Sequence, residues 1–398
     1  MHLDRRASFA HNPDNSLGHA GVGEVPVFQP HIGLDTLQAV TDALTTGWLG
    51  SGPLTQAFEE GIARYLALDG RTVVATNTGT SALHLALLAA GVGAGDEVLV
   101  PAFNFVADHQ AITATGAQPV FCDIREDNLG IDCTSAEALV SPRTKAVMPL
   151  HFAGIPCDID GVYALAARHG LRVIEDATHA FGTRHRGQQI GHGGDLTCFS
   201  FDPVKVITCI DGGAVVSGHA SETERIRQMR QLGIDRDTMP VYQNPRAWDY
   251  DVVSPGFRYH LSDIHASIGL SQLRRVDEFV ANRRAYCRLY NELLRDVDGI
   301  VIPRFDAADA APFIYYVRVL GGRRKAVMAR LRSDGIASGI HFTPVHTSAF
   351  YRKCRTGDLV VTERVGEEVM TLPLHSFMRE DVVRRIAGLI AGFIRTEA

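Results

Sequence analysis

The chain has 398 residues, 45% of them apolar, and a formal net charge of −6. This length favours one large domain and a smaller second one, and the mild acidity argues against a nucleic-acid surface, which normally needs a basic patch. No apolar run approaches the roughly 20 residues that a membrane-spanning helix requires, and the seven cysteines are scattered without the CxxC pair of a zinc or redox motif.

The first 25 residues are polar and contain no apolar core of the kind found in signal peptides. We therefore interpret residues 1–25 as an N-terminal arm. Several cysteines lie in apolar, strand-like runs, which is typical of reduced core residues. Together these features favour a cytoplasmic protein.

From residue 71 onward, short apolar runs alternate with helical patterns. The predicted strands are Arg71–Thr76, Glu97–Pro101, Gln118–Ile124, Lys145–Leu150, Arg172–Glu175, Thr197–Phe201 and Gly213–Ser217. The predicted helices between them include Ser81–Ala90, Phe105–Ala114 and Ile159–His169. This alternation indicates an α/β fold whose mostly parallel sheet is covered by helices on both faces. Ligands of such sheets bind at the carboxyl ends of the strands.

A helical pattern runs from Asp263 to about Leu294 and is interpreted as the connector into a C-terminal α+β domain. That domain has a predicted strand at Phe313–Leu320, a helix at Arg324–Asp334 and a final amphipathic helix from about Glu380. We predict a large domain over residues 26–275 and a small domain over residues 276–398.

Two strand ends carry small polar or aromatic residues. The first strand runs into Asn77–Ser81, where Gly79 and Thr80 precede a predicted helix. A helix start of this composition can bind an anion through free backbone N–H groups and hydroxyls, although an ordinary N-cap has the same composition. The second strand is followed by Phe105, which could stack on a flat ring or belong to the core.

The next two strand ends carry charged residues. One strand ends in Glu175 and Asp176, with His179 close behind, and burying charged groups is unfavourable in free energy unless they are paired. Another strand is followed by Ser200 and Lys205. A desolvated lysine is a nucleophile, whereas a lysine with only its stem buried would extend its amine to water. An anion cradle, an aromatic ring, a carboxylate and an amine are together what pyridoxal phosphate (PLP) requires.

The chain resembles the PLP-dependent sugar aminotransferases of the DegT/DnrJ/EryC1/StrS family, within the type I (aspartate aminotransferase) fold, from about Val25 to the C-terminus. The matching stretches are GWLGSGPLTQAFE, NTGTSALHLAL, GDEVLVPAFNFVA, GAQPVFCDI, VIEDATHAFG, GDLTCFSFDPVKVITCIDGGAVV, LSDIHASIGLSQL and GIHFTPVHTSAFYR. The set is specific, although no single stretch is.

The resemblance implies a role for each matching residue. Lys205 corresponds to the lysine that forms a Schiff base with the cofactor and acts as the base, and Asp176 to the acid that pairs with the pyridine nitrogen. The remaining cofactor-binding positions are Phe105 over the ring, His179 near the ring hydroxyl, and Gly79, Thr80, Ser81 and Ser200 around the phosphate. At the substrate edge lie Trp48 and His346.

One departure from the family pattern concerns the segment in which an asparagine crosses the dimer interface toward the neighbour's cofactor phosphate. Arg258 stands at that position and could contact the phosphate instead. Val206 and Asp202, on either side of the lysine, also differ from the common residues, which could alter substrate choice.

The resemblance implies a homodimer with active sites at the interface, and no metal. The expected reaction moves an amino group from L-glutamate to C4 of a nucleotide-linked keto-sugar, such as dTDP-4-keto-6-deoxyglucose, in deoxyamino-sugar biosynthesis. The C4 preference rests on Ile207–Gly213 and Gly339–Thr347, which look C4-like. A C3 keto-sugar or cyclitol aminotransferase, or a non-catalytic PLP-binding regulatory protein, are the alternatives.

Overall fold

The computed structural model of the chain describes residues 24–235, 250–304, 306, 308–376 and 378–396. Residues 1–23 of the predicted N-terminal arm therefore lie outside the described residues, and Val25 forms a parallel bridge with Ile336. Within the described ranges, none of the helices combines the length and apolar character that a bilayer span would need.

The fold is centred on a seven-stranded sheet, and this confirms the predicted mostly parallel architecture. Its strands are β1 (Thr72–Thr76), β2 (Glu97–Pro101), β3 (Gln118–Cys122), β4 (Thr144–Val147), β5 (Arg172–Asp176), β8 (Leu196–Ser200) and β9 (Gly213–Ser217); β6 (Arg184–His185) and β7 (Gln188–Gln189) form a separate hairpin. The order is β1-β9-β8-β5-β4-β2-β3. Only β9 runs antiparallel to its neighbours in this sheet.

Helices cover both faces of the sheet, which explains why the strands are apolar throughout rather than alternating. They are α1 (Leu34–Thr45), α2 (Pro53–Tyr65), α3 (Gly79–Ala89), α4 (Ala107–Ala114), α5 (Cys133–Ala138), α6 (Ile159–His169), α7 (Ala220–Arg230), α8 (Asp263–Leu273) and α9 (Val276–Leu294). Successive strand residues point to opposite faces: Val74 joins the core under α3, whereas Val73 joins the core around Phe58 of α2.

A second apolar core lies toward the C-terminus. It contains a three-stranded antiparallel sheet in the order β10-β11-β12, formed by β10 (Ile300–Val301), β11 (Tyr315–Val319) and β12 (Val369–Leu372). The helices of this region are α10 (Arg324–Ser333), α11 (Val360–Glu368) and α12 (Glu380–Thr396). Val317, Leu331 and Ile386 share one buried cluster with Tyr290 of α9. The boundary between residues 275 and 276 stays a prediction.

The predicted helical stretch from Asp263 to Leu294 is broken in the structure. Helix α8 ends at Leu273 and α9 begins at Val276, with Arg274 and Arg275 between them. Apolar residues keep their three- and four-residue spacing across the break, so periodicity alone predicts one helix. The other predicted elements differ from the structure only at their ends.

Candidate active site

The chain turns from β1 into α3 at a close approach between two backbones. Thr78 is the N-cap of α3, and its hydroxyl accepts the Ser81 N–H at 3.0 Å. A Cβ on Gly79 would lie 2.7 Å from Cβ of Ser200, so only glycine fits there. Because the first N–H groups of a helix have no intrahelical acceptor, this end of α3 presents donors toward Ser200 at the end of β8.

Asp176, the last residue of β5, is buried at the centre of the sheet edge, with 1% of its surface exposed. Its Oδ1 accepts the Thr178 N–H at 2.9 Å, and its Oδ2 accepts the amide of Asn104 at 3.2 Å. These donors fix the orientation of the carboxylate. One face of the carboxylate is turned toward the cavity described below.

Lys205 lies in the turn that follows β8. The turn is closed by the Lys205 N–H, which donates to the carbonyl of Asp202 at 3.0 Å, and by the Val204 N–H, which donates to the Asp202 carboxylate at 3.0 Å. The amine lies 4.2 Å from the centroid of the Phe313 ring. Burial lowers the pKa of Lys205 to about 8, against the opposing influence of Asp176 and Asp202. The amine is therefore mostly charged at pH 7 but is deprotonated much more easily than an exposed lysine.

His179 is a buried histidine without a counter-charge. Its exposed fraction is 3%, and its Nδ1 has no hydrogen-bond partner among the described residues. Burial, and then the nearby positive charge of Lys205, hold the pKa of His179 well below its usual range. Its ring packs 4.4 Å from Phe313 and 5.8 Å from Phe342 between centroids. A neutral imidazole thus lines the cavity.

These groups line one cavity of about 410 Å³ at the carboxyl edge of the sheet. Phe105, 55% exposed, lies at its opening, 5.7 Å from Phe342 between ring centroids. Seven of the residues predicted from sequence meet in this cavity: Gly79, Thr80, Phe105, Asp176, His179, Ser200 and Lys205. The strand-end rule therefore predicted several of its polar residues.

Ser81 lies beside the cavity rather than in its lining. Its hydroxyl donates to the Asn77 side chain at 2.6 Å and lies 2.7 Å from the Thr78 hydroxyl. In this arrangement Ser81 stiffens the start of α3.

Three predicted residues lie elsewhere. Trp48 and Arg258 line a second cavity of about 440 Å³, with Leu232 and His260. His346 is 3.4 Å from the carboxylate of Glu363. Arg258 of the second cavity is linked to the turn that precedes α3: its backbone carbonyl lies 3.5 Å from the side-chain amide of Asn77.

The cavity also contains residues that the strand-end rule missed. Phe313, His341 and Phe342 come from the C-terminal part of the chain, and no short-range pattern connects them to the sheet. Asp108 and Asn104 lie beside Phe105. No sequence pattern indicated Asp108, which lies in the first turn of α4 and is buried although Phe105, just before the helix, is exposed.

Comparison with known proteins gives one consistent result. The model of the DegT/DnrJ/EryC1/StrS aminotransferase family matches residues 30–391. The solved structure of an aminotransferase, TlmJ from Streptoalloteichus hindustanus, is 34% identical, with a TM-score of 0.88 over 94% of this chain and 100% of that chain. DesV from S. venezuelae, solved with a ketimine intermediate, is 32% identical, with a TM-score of 0.83 over 90% of this chain and 94% of that chain.

A third similar structure is the sugar aminotransferase CalS13 from Micromonospora echinospora. It is 30% identical, with a TM-score of 0.85 over 92% of this chain and 99% of that chain. All three relatives are matched over nearly their whole length, so the likeness includes both the seven-stranded sheet and the C-terminal core.

Proposed function

The chain belongs to the DegT/DnrJ/EryC1/StrS family of PLP-dependent sugar aminotransferases, and from this premise we propose that it transfers the amino group of L-glutamate to C4 of a nucleotide-linked 4-keto-6-deoxyhexose, with dTDP-4-keto-6-deoxyglucose as the first candidate. The observation that carries the proposal is the lysine amine of lowered pKa in the same cavity as the buried carboxylate of Asp176. The pathway would be the synthesis of deoxyamino-sugars.

The residues of the cavity fit pyridoxal phosphate. Gly79, Thr80 and Ser200 offer N–H groups and hydroxyls to a phosphate, without a lysine or arginine among them. The neutral imidazole of His179 is a partner for the ring hydroxyl, and Phe105 offers an aromatic face for the ring. We propose that these residues hold the cofactor, with Ser81 supporting the phosphate site through the start of α3.

Bound pyridoxal phosphate supplies an aldehyde that reacts with amines and a ring that accepts the electrons released at the neighbouring carbon. Lys205 would hold that aldehyde covalently; once the amine of the donor has displaced it, the freed amine of Lys205 would take the proton from the α-carbon of the donor. A pKa of about 8 suits both tasks, because the amine is easily deprotonated yet remains basic. Asp176 keeps a proton on the ring nitrogen, since an ionised carboxylate with two hydrogen-bond donors is an acceptor of fixed position.

The apolar part of the cavity supports a deoxysugar as the acceptor. Phe28, Phe313 and Phe342 form a wall beside the lysine amine and offer no hydrogen-bonding groups. Rings of this kind pack against the carbon face and methyl group of a sugar. His341 contributes a neutral imidazole at the same wall, because burial lowers its pKa to about 4.

We further propose a homodimer in which the second cavity faces the partner's active site. Trp48 would then contact the sugar nucleotide and Arg258 the cofactor phosphate of the partner, as a substitute for the asparagine common in the family. Exposed apolar side chains near this cavity support an interface: Leu44, Leu49 and Leu232 are each about half exposed. His346 is proposed to lie at the sugar-binding edge.

The test is amino transfer from L-glutamate across a panel of nucleotide-linked 4-keto and 3-keto sugars and cyclitol ketones, with NMR assignment of the carbon that acquires nitrogen. The proposal predicts a product aminated at C4. Amination at C3, or of a cyclitol, would replace the substrate assignment with one of the two alternatives in the family. Absence of transfer to any acceptor by PLP-loaded protein would favour the regulatory alternative.

A further inference from the structure

Two carboxyl groups are buried side by side at the inner end of the cavity. Asp108 of α4 and Asp176 of β5 are each 1% exposed, and both line the cavity. The Asn104 amide nitrogen lies 2.5 Å from an oxygen of Asp108 and 3.2 Å from an oxygen of Asp176. The two carboxyl groups therefore lie on either side of one amide nitrogen, and the three side chains form one network.

Ionising both carboxyl groups of this network would be strongly unfavourable in free energy. Like charges in contact repel strongly when little water separates them, and one of the two retains its proton. Burial, reinforced by the negative charge of Asp176, raises the pKa of Asp108 well above its usual range. The positive charge of Lys205 opposes that rise but is the weakest of the influences on Asp108.

The donors decide which carboxyl group holds the proton. Asp176 accepts a backbone N–H from Thr178 in addition to the Asn104 amide, and it has the stronger electrostatic influence on Lys205. Asp108 accepts only from Asn104 among the described residues. The negative charge is therefore better stabilised on Asp176, and the proton belongs on Asp108.

The remaining titratable groups around Asp108 bring no counter-charge. His109 is fully buried, and burial lowers its pKa to about 4, so it is neutral. Cys198 of β8, on the other side, is also fully buried, and burial raises the pKa of its thiol well above the usual range. The pair thus depends on its own shared proton.

We infer that Asp108 is a protonated positioning residue, whose carboxylic O–H donates a hydrogen bond to the Asp176 carboxylate. This bond, together with those from Asn104 and Thr178, stabilises the ionised form of Asp176. Resting on the proposed function, the consequence is that Asp176 accepts a hydrogen bond from the ring N–H of the cofactor without removing its proton. The network thus carries one negative charge, on a carboxylate of fixed orientation that faces one N–H group.

The first test is infrared spectroscopy of the full-length apoprotein labelled with ¹³C-aspartate, near neutral pH. A protonated aspartic acid gives a C=O stretch well separated from carboxylate bands. We expect such a band in the wild type, its loss in Asp108→Asn, and its retention in the matched control Asp211→Asn, an exposed carboxyl at the same cavity. Absence of the band in the wild type, or its persistence in Asp108→Asn, would overturn the inference.

The second test is the pH dependence of stability. Unfolded aspartate ionises near pH ~4, whereas Asp108 stays protonated in the folded protein, so the wild type loses stability as pH rises above that value. Asp108→Asn lacks this proton. Its urea midpoint should therefore rise relative to the wild type between about pH 5 and about pH 8. Parallel midpoints over that range would show that Asp108 is an ordinary ionised aspartate.

The affinity for PLP distinguishes a hydrogen-bonding role of Asp108 from a role in packing alone. Asp108→Asn keeps a hydrogen-bond donor toward Asp176 and should bind PLP within a few-fold of the wild type, whereas Asp108→Ala should weaken binding by about 10-fold or more. Equal losses in both variants would contradict the hydrogen-bonding role. Both earlier tests use apoprotein, so they stand even if the proposed amino transfer fails.

Discussion

Buried acids at the two edges of the central sheet differ in how fully their charges are paired. At the amino edge, Glu97 is 1% exposed and is paired with Arg143 at 2.5 Å, Arg355 at 2.9 Å and the Ser141 hydroxyl at 2.6 Å. At the carboxyl edge, Asp108 and Asp176 have an amide and a backbone N–H between them, and neither is paired with an arginine among the described residues.

This difference in pairing distinguishes a buried acid that stabilises the fold from buried acids that are available to a ligand. Glu97 has partners for its whole charge, so nothing remains for a ligand, and its surroundings are those of a folding element. The carboxyl edge has a carboxylate with a free face, a histidine nitrogen without a partner and an amine of lowered pKa. Buried groups left without full compensation mark the place where a ligand completes the structure.

The largest expected effect is the loss of activity on removing the Lys205 amine from the carboxyl edge. Lys205→Ala should lower amino transfer by at least about 10³-fold, because the variant lacks both the covalent attachment point and the base. Its thermal stability should be no lower than that of the wild type, since the change removes a buried amine. Steady-state kinetics and a melting curve measure the two. The matched control is Lys145→Ala on β4, an exposed lysine whose loss should change neither.

A second pair of variants exchanges one acid at each edge for its amide. Asp176→Asn should lower turnover by roughly 10²-fold or more with little loss of stability, because a charge without full compensation is removed. Glu97→Gln should do the reverse: a loss of about 1–3 kcal/mol in the free energy of unfolding, because its arginines lose their partner, with normal turnover per folded molecule. If both variants lost only stability, the distinction between the edges would be wrong.

The third prediction uses pH. The neutral amine of Lys205 is the reactive form, and burial brings its pKa to about 8. The rate at which apoprotein takes up PLP covalently should therefore rise about 10-fold per pH unit below that value and level off above it. Stopped-flow absorbance follows this rate. A midpoint near the ordinary lysine value of 10.5 would mean that the amine is not desolvated in the folded protein.

The smallest effects come from two glycines. Gly79→Ala should cost about 1–3 kcal/mol and weaken PLP binding, because the added Cβ would lie 2.7 Å from Ser200 and push the two donor elements apart. Gly388→Ala in α12 has no atom within 4 Å of the added Cβ and should instead stabilise the helix by up to about 1 kcal/mol. Urea unfolding and a PLP titration distinguish the two; equal effects would remove the argument for a close approach at α3.

The sequence predicted much of the carboxyl edge for a physical reason. Parallel strands place their carboxyl ends together, so residues that directly follow each strand, such as Asp176 and Ser200, are neighbours whatever their separation in sequence. Lys205 could be recognised because a lysine within an apolar run needs an explanation. These inferences use local pattern and one topological rule, and both hold here.

The rest of the site depends on contacts that no local pattern encodes. Phe313 and Phe342 lie more than 100 residues after Lys205, and they reach the cavity through a cluster that they share with Phe103 and Phe152. Arg258 and Trp48 lie in a second cavity, and the role predicted for Arg258 requires a partner chain. The break between α8 and α9 was missed because the apolar spacing continues across Arg274 and Arg275.

The most direct test of the central claim is the visible absorption spectrum of the purified protein supplied with PLP, wild type beside Lys205→Ala, before and after addition of L-glutamate. The account predicts a yellow wild type that bleaches with glutamate, and a variant that lacks this response. A wild-type protein that stays colourless and takes up no PLP would contradict the cofactor assignment, and with it the roles given to Lys205 and Asp176.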